Sequence, residues 1–302
     1  MVDSSTATPV VSDTVAMPRR GWKRRSLLGR SRVARRFWKK KVALVALGFL
    51  CLLVLVAIFS EALQPYDPND QDLTAVLQGP SADHLLGTDS FGRDTFSRLI
   101  AATPVTLTAA GQALGLALLI GVPIGLAAGF IGGLLDSVAS RVADAFLALP
   151  PIILALAIVG ILGRGLTNAM IALGIVLAPR FYRVARAAAQ SIATEGYAEA
   201  ARADGVSSWR LLWRHVLPNA SGPLLVQTSF AIGAIITAEA ALSYLGLGVQ
   251  QPQSSWGSML RDAFDVVRQG AFPLLPPSVI ITLTIMAFFL LGDGLRDALG
   301  RD

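Results

Sequence analysis

The sequence predicts an all-α, polytopic membrane protein with six transmembrane helices. Composition is the first ground: 53% of the 302 residues are hydrophobic and 15% charged, against roughly 45–50% and about 25% in ordinary globular domains. Long uncharged runs are the second, because a hydrocarbon core about 30 Å thick needs roughly 20 apolar residues as a helix. The third is an uneven distribution of basic residues between the segments that join those runs. One cysteine, Cys51, excludes an intrachain disulfide framework and any CxxC site. All four lysines, Lys23, Lys39, Lys40 and Lys41, precede residue 42, and none stands between Gly and Ser or Thr. The chain therefore has no P-loop, and any ATP used in that way is bound by another subunit.

The first span is 42–60, within a first transmembrane segment of 42–63. It is longer than a signal-peptide h-region and follows too many residues for an n-region, so it reads as an uncleaved anchor. An external loop, 64–98, follows. The remainder, 99–302, supplies five more spans. Residues 99–135 are uncharged, enough for one helix and a re-entry turn. Asp144 and Arg164 bracket 19 uncharged residues that include Pro150 and Pro151, a third span. Residues 165–179 form a shorter fourth. Residues 215–250 contain a fifth, interrupted only by Glu239, and 271–292 the sixth. With the N-terminus inside, the cytoplasmic segments hold 21 Lys and Arg and the external ones 5. The positive-inside rule then places both termini in the cytoplasm.

In the second span Gly121, Gly125, Gly129 and Gly133 recur every four residues, after Gly111 and Gly115. That spacing lies on one helix face and allows close approach of another helix. Packing within the subunit is the preferred reading, and a subunit contact or pathway lining the alternative. Pro123 and the pair Pro150-Pro151 are expected to add kinks.

The external loop carries Gly87, Thr88, Asp89, Gly92, Arg93 and Asp94. Asp and Thr beside Gly suit tight turns, and Arg93 has Asp89 and Asp94 as ion-pair candidates. A structural cap over the outer mouth is expected. No metal site is expected, because His84 and the only other histidine, His215, fall on opposite sides of the membrane.

The internal loop, 183–218, is amphipathic. Ala198, Ala200, Ala201 and Ala203 form a small-residue helix broken at Gly205. Val206, Trp209, Leu211, Leu212 and Trp213 follow on a second, with Ser207 or Ser208 as cap and Leu217-Pro218 as its end. Such a pair fits a groove on a partner or lies on lipid, and periodicity does not choose between them.

Glu199-Ala200-Ala201, Gly205 and Leu217-Pro218 resemble the EAA motif of ABC-importer permeases in residue type and spacing. His215 stands where the pattern usually has Ile, and the peptide-importer branch commonly carries His there. Gly87-Thr88-Asp89 with Gly92-Arg93-Asp94 also resembles that branch, as do the stretch from Ala238 to Gly248, Ser255-Trp256-Gly257 and the stretch from Leu291 to Asp297. Over residues 35–302 the chain resembles the C-type permease subunit of dipeptide and oligopeptide ABC importers.

The resemblance implies a type I importer permease fold with no catalytic residues. The expected partners are a second permease completing a heterodimeric pore, two ABC ATPase subunits or domains, an extracytoplasmic peptide-binding protein and membrane lipid. ATP and Mg would sit on the ATPases, and this chain would bind no cofactor. Glu199 would be the charged contact to the ATPase, Ala200 and Ala201 would keep the approach close, Gly205 would give the turn, and Leu217-Pro218 would end the loop. Related permeases also move nickel complexes and haem, so cargo stays open.

Glu239 sits inside an apolar span, where the comparable Asp costs about 2.5–3.5 kcal/mol on insertion scales. It either binds a peptide's amino terminus or, the favoured reading, fixes the bundle by hydrogen bonding to Ser243, Tyr244 or a neighbouring helix. An ATP-independent secondary transporter would need several intramembrane ionisable groups or inverted repeats, and only Glu239 and Asp144 stand out. No HExxH or GxSxG occurs, which argues against an intramembrane enzyme.

The formal charge of +6 suggests nucleic acid at first sight. The tail, 1–41, holds 12 basic and 2 acidic residues, the remainder 14 basic and 18 acidic. The tail reads as a disordered start followed by a polybasic juxtamembrane run, the usual mark of anionic-lipid contact rather than nucleic acid.

Overall fold

The structure, a computed structural model, describes residues 35–196 and 207–300, without the side chains of residues 208, 209, 213 and 215. Among the described residues the secondary structure is helical, apart from one antiparallel bridge between Thr88 and Asp94.

Helix α1, Lys41–Ile58, is apolar throughout: Val45, Leu52 and Leu55 face outward while Ala43, Ala46, Leu50 and Leu53 pack inward. A single turn, α2 (Ser60–Leu63), closes it. The long helix α3 runs over Thr95–Ile131 and begins on an Asp94 N-cap, whose carboxylate accepts from the Ser97 amide at 2.7 Å. Its 37 residues extend about 55 Å, well beyond a hydrocarbon core. Pro104 and Pro123 lie inside without ending it. Gly132 and Gly133, both at positive φ, end it instead, so in residues 99–135 one helix runs to Ile131, the chain turns at Gly132, and the next helix begins at Gly133.

The expected third span is also divided. Helix α4 (Gly133–Ala148) and helix α5 (Pro151–Leu162) meet at a 98° bend. Two prolines cause the break: the residue before a proline is driven to extended backbone, and a proline pre-sets the first turn of the next helix. Helix α6 (Leu166–Ala193) continues through Arg180, Arg183 and Arg186, far past the expected fourth span.

After the undescribed residues come a short helix α7 (Ser208–Leu211), a π-helical turn (Leu212–Val216) and helix α8 (Leu217–Tyr244). Helix α9 (Trp256–Asp265) starts on a capping box of Ser255 and Ser258. A 3₁₀ turn (Phe272–Leu274) leads into helix α10 (Leu275–Leu299). Among the described residues, α1, α3, α8 and α10 with its leading turn are long and apolar enough to cross a membrane, and α4 with α5 would make a fifth if the bent pair is one span. Helix α6 is not in that set. It is enclosed by α3, α5 and α8, so its outer face need not match lipid.

The core is the α3–α6 pair. A Cβ on Gly121, Gly125 or Gly129 would collide with the backbone carbonyls of Ala178, Tyr182 and Arg186, while Gly174 of α6 lies against Ala113 and Leu116 of α3. Partner numbers rise together, so the two helices run parallel. The glycine stripe thus packs within the subunit, but Gly111, Gly115 and Gly133 have nothing within 4 Å of a Cβ. At the start of α1, Lys40 pairs with Asp297 near the end of α10 at 2.7 Å, and Arg36 Nη1 donates to the Gly300 carbonyl at 3.1 Å. The start of α1 and the end of α10 therefore share one end of the bundle.

Candidate functional site

The segment before α3 folds back on itself because two glycines allow it. Gly87 and Gly92 have φ of 72° and 70°, and a Cβ on Gly92 would overlap the Asp72 carbonyl. Asp89 Oδ1 accepts from the amides of Phe91 and Arg93 at 2.8 and 3.0 Å, closing the turn between them. The Thr88 hydroxyl donates to the Ala75 carbonyl and accepts from the Gln78 amide, tying the turn to the preceding loop.

Beneath this turn sits a buried charge cluster. Arg93 Nε donates to Asp89 Oδ2 at 2.7 Å, and Arg98 Nε approaches the same oxygen at 3.4 Å. Both guanidinium groups reach Asp262 of α9, at 3.7 and 3.8 Å. Arg98 is only 2% exposed. Burial pushes the Asp262 carboxyl above the usual carboxylate range, against the downward pull of Arg98 and Arg93. Asp94 has two duties: capping α3, and accepting His84 Nδ1 at 2.9 Å. The ion-pair partners of Arg93 are therefore Asp89 and Asp262, with Asp94 engaged elsewhere. Asp262 carries no signal in the sequence that ties it to Arg93, 169 positions upstream by number.

Glu239 is 1% exposed, near the end of α8 that faces this cluster. Its Oε1 accepts from the Ser243 hydroxyl, one helical turn on, and from the Ser255 hydroxyl at the N-cap of α9, both at 2.7 Å. Oε2 has no hydrogen-bond partner among the described residues and lies against Gly257. The next residue, Trp256, is fully buried; its amide donates to Thr106 Oγ1 at 3.1 Å and its indole approaches the Leu99 carbonyl. Glu239 and Trp256 thus join α9 to α8 and α3. Tyr244, the other candidate partner, points to Phe264 instead.

Of the internal-loop residues, Glu199, Ala200, Ala201 and Gly205 lie outside the described residues. Leu217 and Pro218 form the first turn of α8, where Pro218 needs no amide partner. Upstream, α6 is clamped to α4. Arg186 donates through Nη2 to Asp136 Oδ2 at 2.7 Å and through Nε to Oδ1; the Tyr182 and Ser140 hydroxyls meet beside it at 2.8 Å, and Arg183 pairs with Asp144.

Parallel, glycine-packed helices around a charge-capped end, with helices long and apolar enough to cross a bilayer, define a helical membrane protein. The fold matches the inward-facing MetNI methionine ABC transporter with a TM-score of 0.55 at 22% identity, over 68% of this chain and 98% of that one. Residues 121–302 match the family of binding-protein-dependent transport system inner membrane components, and residues 30–80 match the N-terminal transmembrane domain of oligopeptide transport permease C. A dipeptide transport system permease protein of Alkalihalophilus pseudofirmus is 41% identical over 86% of both chains. A glutathione transport system permease protein of Salmonella typhimurium is 44% identical over 88% of both. The chain belongs to the binding-protein-dependent transport system inner membrane component family, and it is an inner-membrane transport subunit.

Proposed function

We propose that this chain is a C-type permease subunit of an ATP-driven importer of dipeptides and oligopeptides, forming half of the pore with a second permease. The observation that carries the reading is similarity over 86–88% of the chain to a dipeptide and a glutathione permease, two systems whose cargoes are short peptides. Six spans with cytoplasmic termini fit the basic-residue distribution, and the pairing of Lys40 with Asp297 supports termini on one face. The loop 183–218 docks on ATPase subunits, which hold ATP and Mg, with Glu199 as the charged contact, Ala200 and Ala201 as the close-packed surface and Gly205 as the turn. Of that expected range, residues 183–193 belong to α6 and Leu217-Pro218 to α8, so the docking part is the segment between the two helices.

In this reading α6 is the lever. It leads into the loop, is locked to α4 by Asp136 and Arg186, and packs on α3 through glycines that permit no gap. A displacement of the loop then reaches α3 as a rigid shift, the kind of packed element that switches between two states. An extracytoplasmic peptide-binding protein delivers cargo at the capped end.

Reconstitution of the full complex in liposomes tests this. ATP-dependent uptake of dialanine, lost together with ATPase co-purification in Glu199→Arg or Gly205→Trp, is the expected result. Uptake by this chain alone without ATP would make it a secondary transporter. Uptake confined to a nickel complex or haem would remove peptides as cargo.

A further inference from the structure

A cleft of about 340 Å³ opens at the capped end of the bundle, between the cap residues Ser90 and Phe91, the segment after α8 and the outer face of α9. Its size falls within the roughly 300–1,000 Å³ of small-ligand sites. Four exposed polar side chains stand on its wall. Gln251, Gln253, Arg261 and Asp265 line it, and among the described residues none of the four forms a side-chain hydrogen bond or ion pair.

Arg261 and Asp265 are the informative pair. At i and i+4 on α9 they are spaced to neutralise each other, yet no ion pair forms. The guanidinium lies instead over Gly246, where a Cβ would come within 2.7 Å of its Nη1, so any larger residue at 246 would displace it. Gly246 also has φ of 77°, a conformation that favours glycine. Arg261 and Asp265 are therefore unpaired with each other on one wall, where Asp262, engaged by Arg93 and Arg98, is the nearer acidic neighbour of Arg261. The carboxamides of Gln251 and Gln253 line the same cleft, each able to donate and accept, as a peptide bond requires. Gln250 does not join them as a donor: its Nε2 is spent on the Gly248 carbonyl at 3.0 Å. Ser243, which binds Glu239, lies on the same wall, so the cleft sits directly over the junction of α8 and α9.

We propose that this cleft is a peptide-binding subsite of the permease itself, with Asp265 taking the ammonium terminus, Arg261 the carboxylate, and Gln251 and Gln253 the amide. It rests on the peptide-import reading and adds to it a site on this chain that a peptide meets after leaving the binding protein.

The test uses the complete transporter in nanodiscs, without binding protein, and radiolabelled dialanine at millimolar concentrations. Saturable binding is expected, weakened at least tenfold by Asp265→Asn, Arg261→Gln or Gln251→Ala and partly restored by Asp265→Glu. N-acetyl dialanine should bind poorly to the parent complex and lose nothing further in Asp265→Asn. Size-exclusion profiles confirm assembly, and Gln251→Ala alters only an exposed loop side chain. Absence of binding in nanodiscs, while liposomes with binding protein still import dialanine, overturns the subsite and leaves peptide import standing. Wild-type binding unchanged in all three variants has the same meaning. Weaker docking of the binding protein, equal for its loaded and empty forms, with dialanine binding intact, assigns the cleft to that protein and overturns the subsite. No import of any peptide by the liposomes overturns both readings.

Discussion

Arg186 of α6 grips Asp136 of α4 with two guanidinium nitrogens, 50 residues apart in sequence. The pair sits one helical turn from Tyr182 and beside Gly129, whose packing against the Arg186 backbone leaves no room for a side chain. Asp136→Ala should lower the melting temperature of the purified complex by roughly 2–8 °C, as expected for losing about 1–2 kcal/mol of charge-assisted hydrogen bonding. It should also reduce transport more than ATP hydrolysis, because the lever then slips on α4. Parallel loss of both activities at unchanged stability would count against the lever.

The glycine stripe separates close packing from mere composition. Gly125→Ala brings its Cβ onto Tyr182 and to 2.9 Å from the Ala185 Cβ. Overpacking of this kind costs about 1–3 kcal/mol. Gly115→Ala, on the same helix but with nothing within 4 Å, should be neutral or stabilising by a few tenths to about 1 kcal/mol, since alanine is the better helix former. Thermal melts of the two variants side by side decide it; equal destabilisation would mean that α3 and α6 do not pack through this stripe.

These comparisons also indicate what a sequence conveys about such a protein. Helices α1, α8 and α10 are legible because each holds a long apolar run, interrupted in α8 only by Glu239. Helix α6 is not, since Arg180 ends its apolar stretch after 14 residues from Leu166. Burial by its neighbours, rather than its own hydropathy, makes it a helix of 28 residues. Pro150 and Pro151 announce a disruption without revealing that it is a 98° bend. Glu239 stands out as a carboxylate among apolar residues, and Ser243 is one turn away. Ser255 comes from across the connection between α8 and α9, and no periodicity links the two. The same holds for Asp262 and Arg98, which only the docking of α9 on the cap brings together.

Asp262 should leave a signature in pH. Its folded-state value is raised by burial, so the folded chain holds that proton more tightly than the unfolded chain. Stability from this group is therefore greatest below the ordinary carboxylate range. It declines as pH rises from that range through the raised value, and is constant above it. Asp262→Asn removes this decline. The difference between wild-type and variant melting temperatures, measured from pH 4 to 7, should change with pH and then level off. A difference independent of pH would show that Asp262 is not protonated preferentially in the fold.

Arg98 is the anchor of the same cluster, and its removal should be the most damaging single change in the cap. Arg98→Ala leaves Asp262 and Asp89 with Arg93 alone and removes one of the largest buried side chains of the chain's described residues. Breaking a buried charge pair on one side costs about 3–5 kcal/mol. Yield of assembled complex should fall sharply, and Arg98→Lys, which cannot span both carboxylates with a planar fork, should recover only part of it. Full recovery by lysine would mean that charge suffices and the fork geometry is immaterial.

Glu239 offers the sharpest separation of structure from cargo contact. Both hydroxyls that bind it come from this chain, and its Oε1 is fully engaged by Ser243 and Ser255. Glu239→Gln keeps a carbonyl acceptor for those serines, so the complex should assemble with a loss within about 1 kcal/mol, one net hydrogen bond. Glu239→Ala strands two buried hydroxyls, at about 1–3 kcal/mol each, and loosens α9 from α8. Uptake of free and amino-blocked peptides should fall by the same factor in each variant, because the carboxylate orders the bundle and does not touch the ammonium. Selective loss of free-amine peptides in Glu239→Gln, at normal assembly, would instead make Glu239 a cargo contact, and the junction of α8 with α9 would have to open between Ser243 and Ser255 for the peptide to reach it.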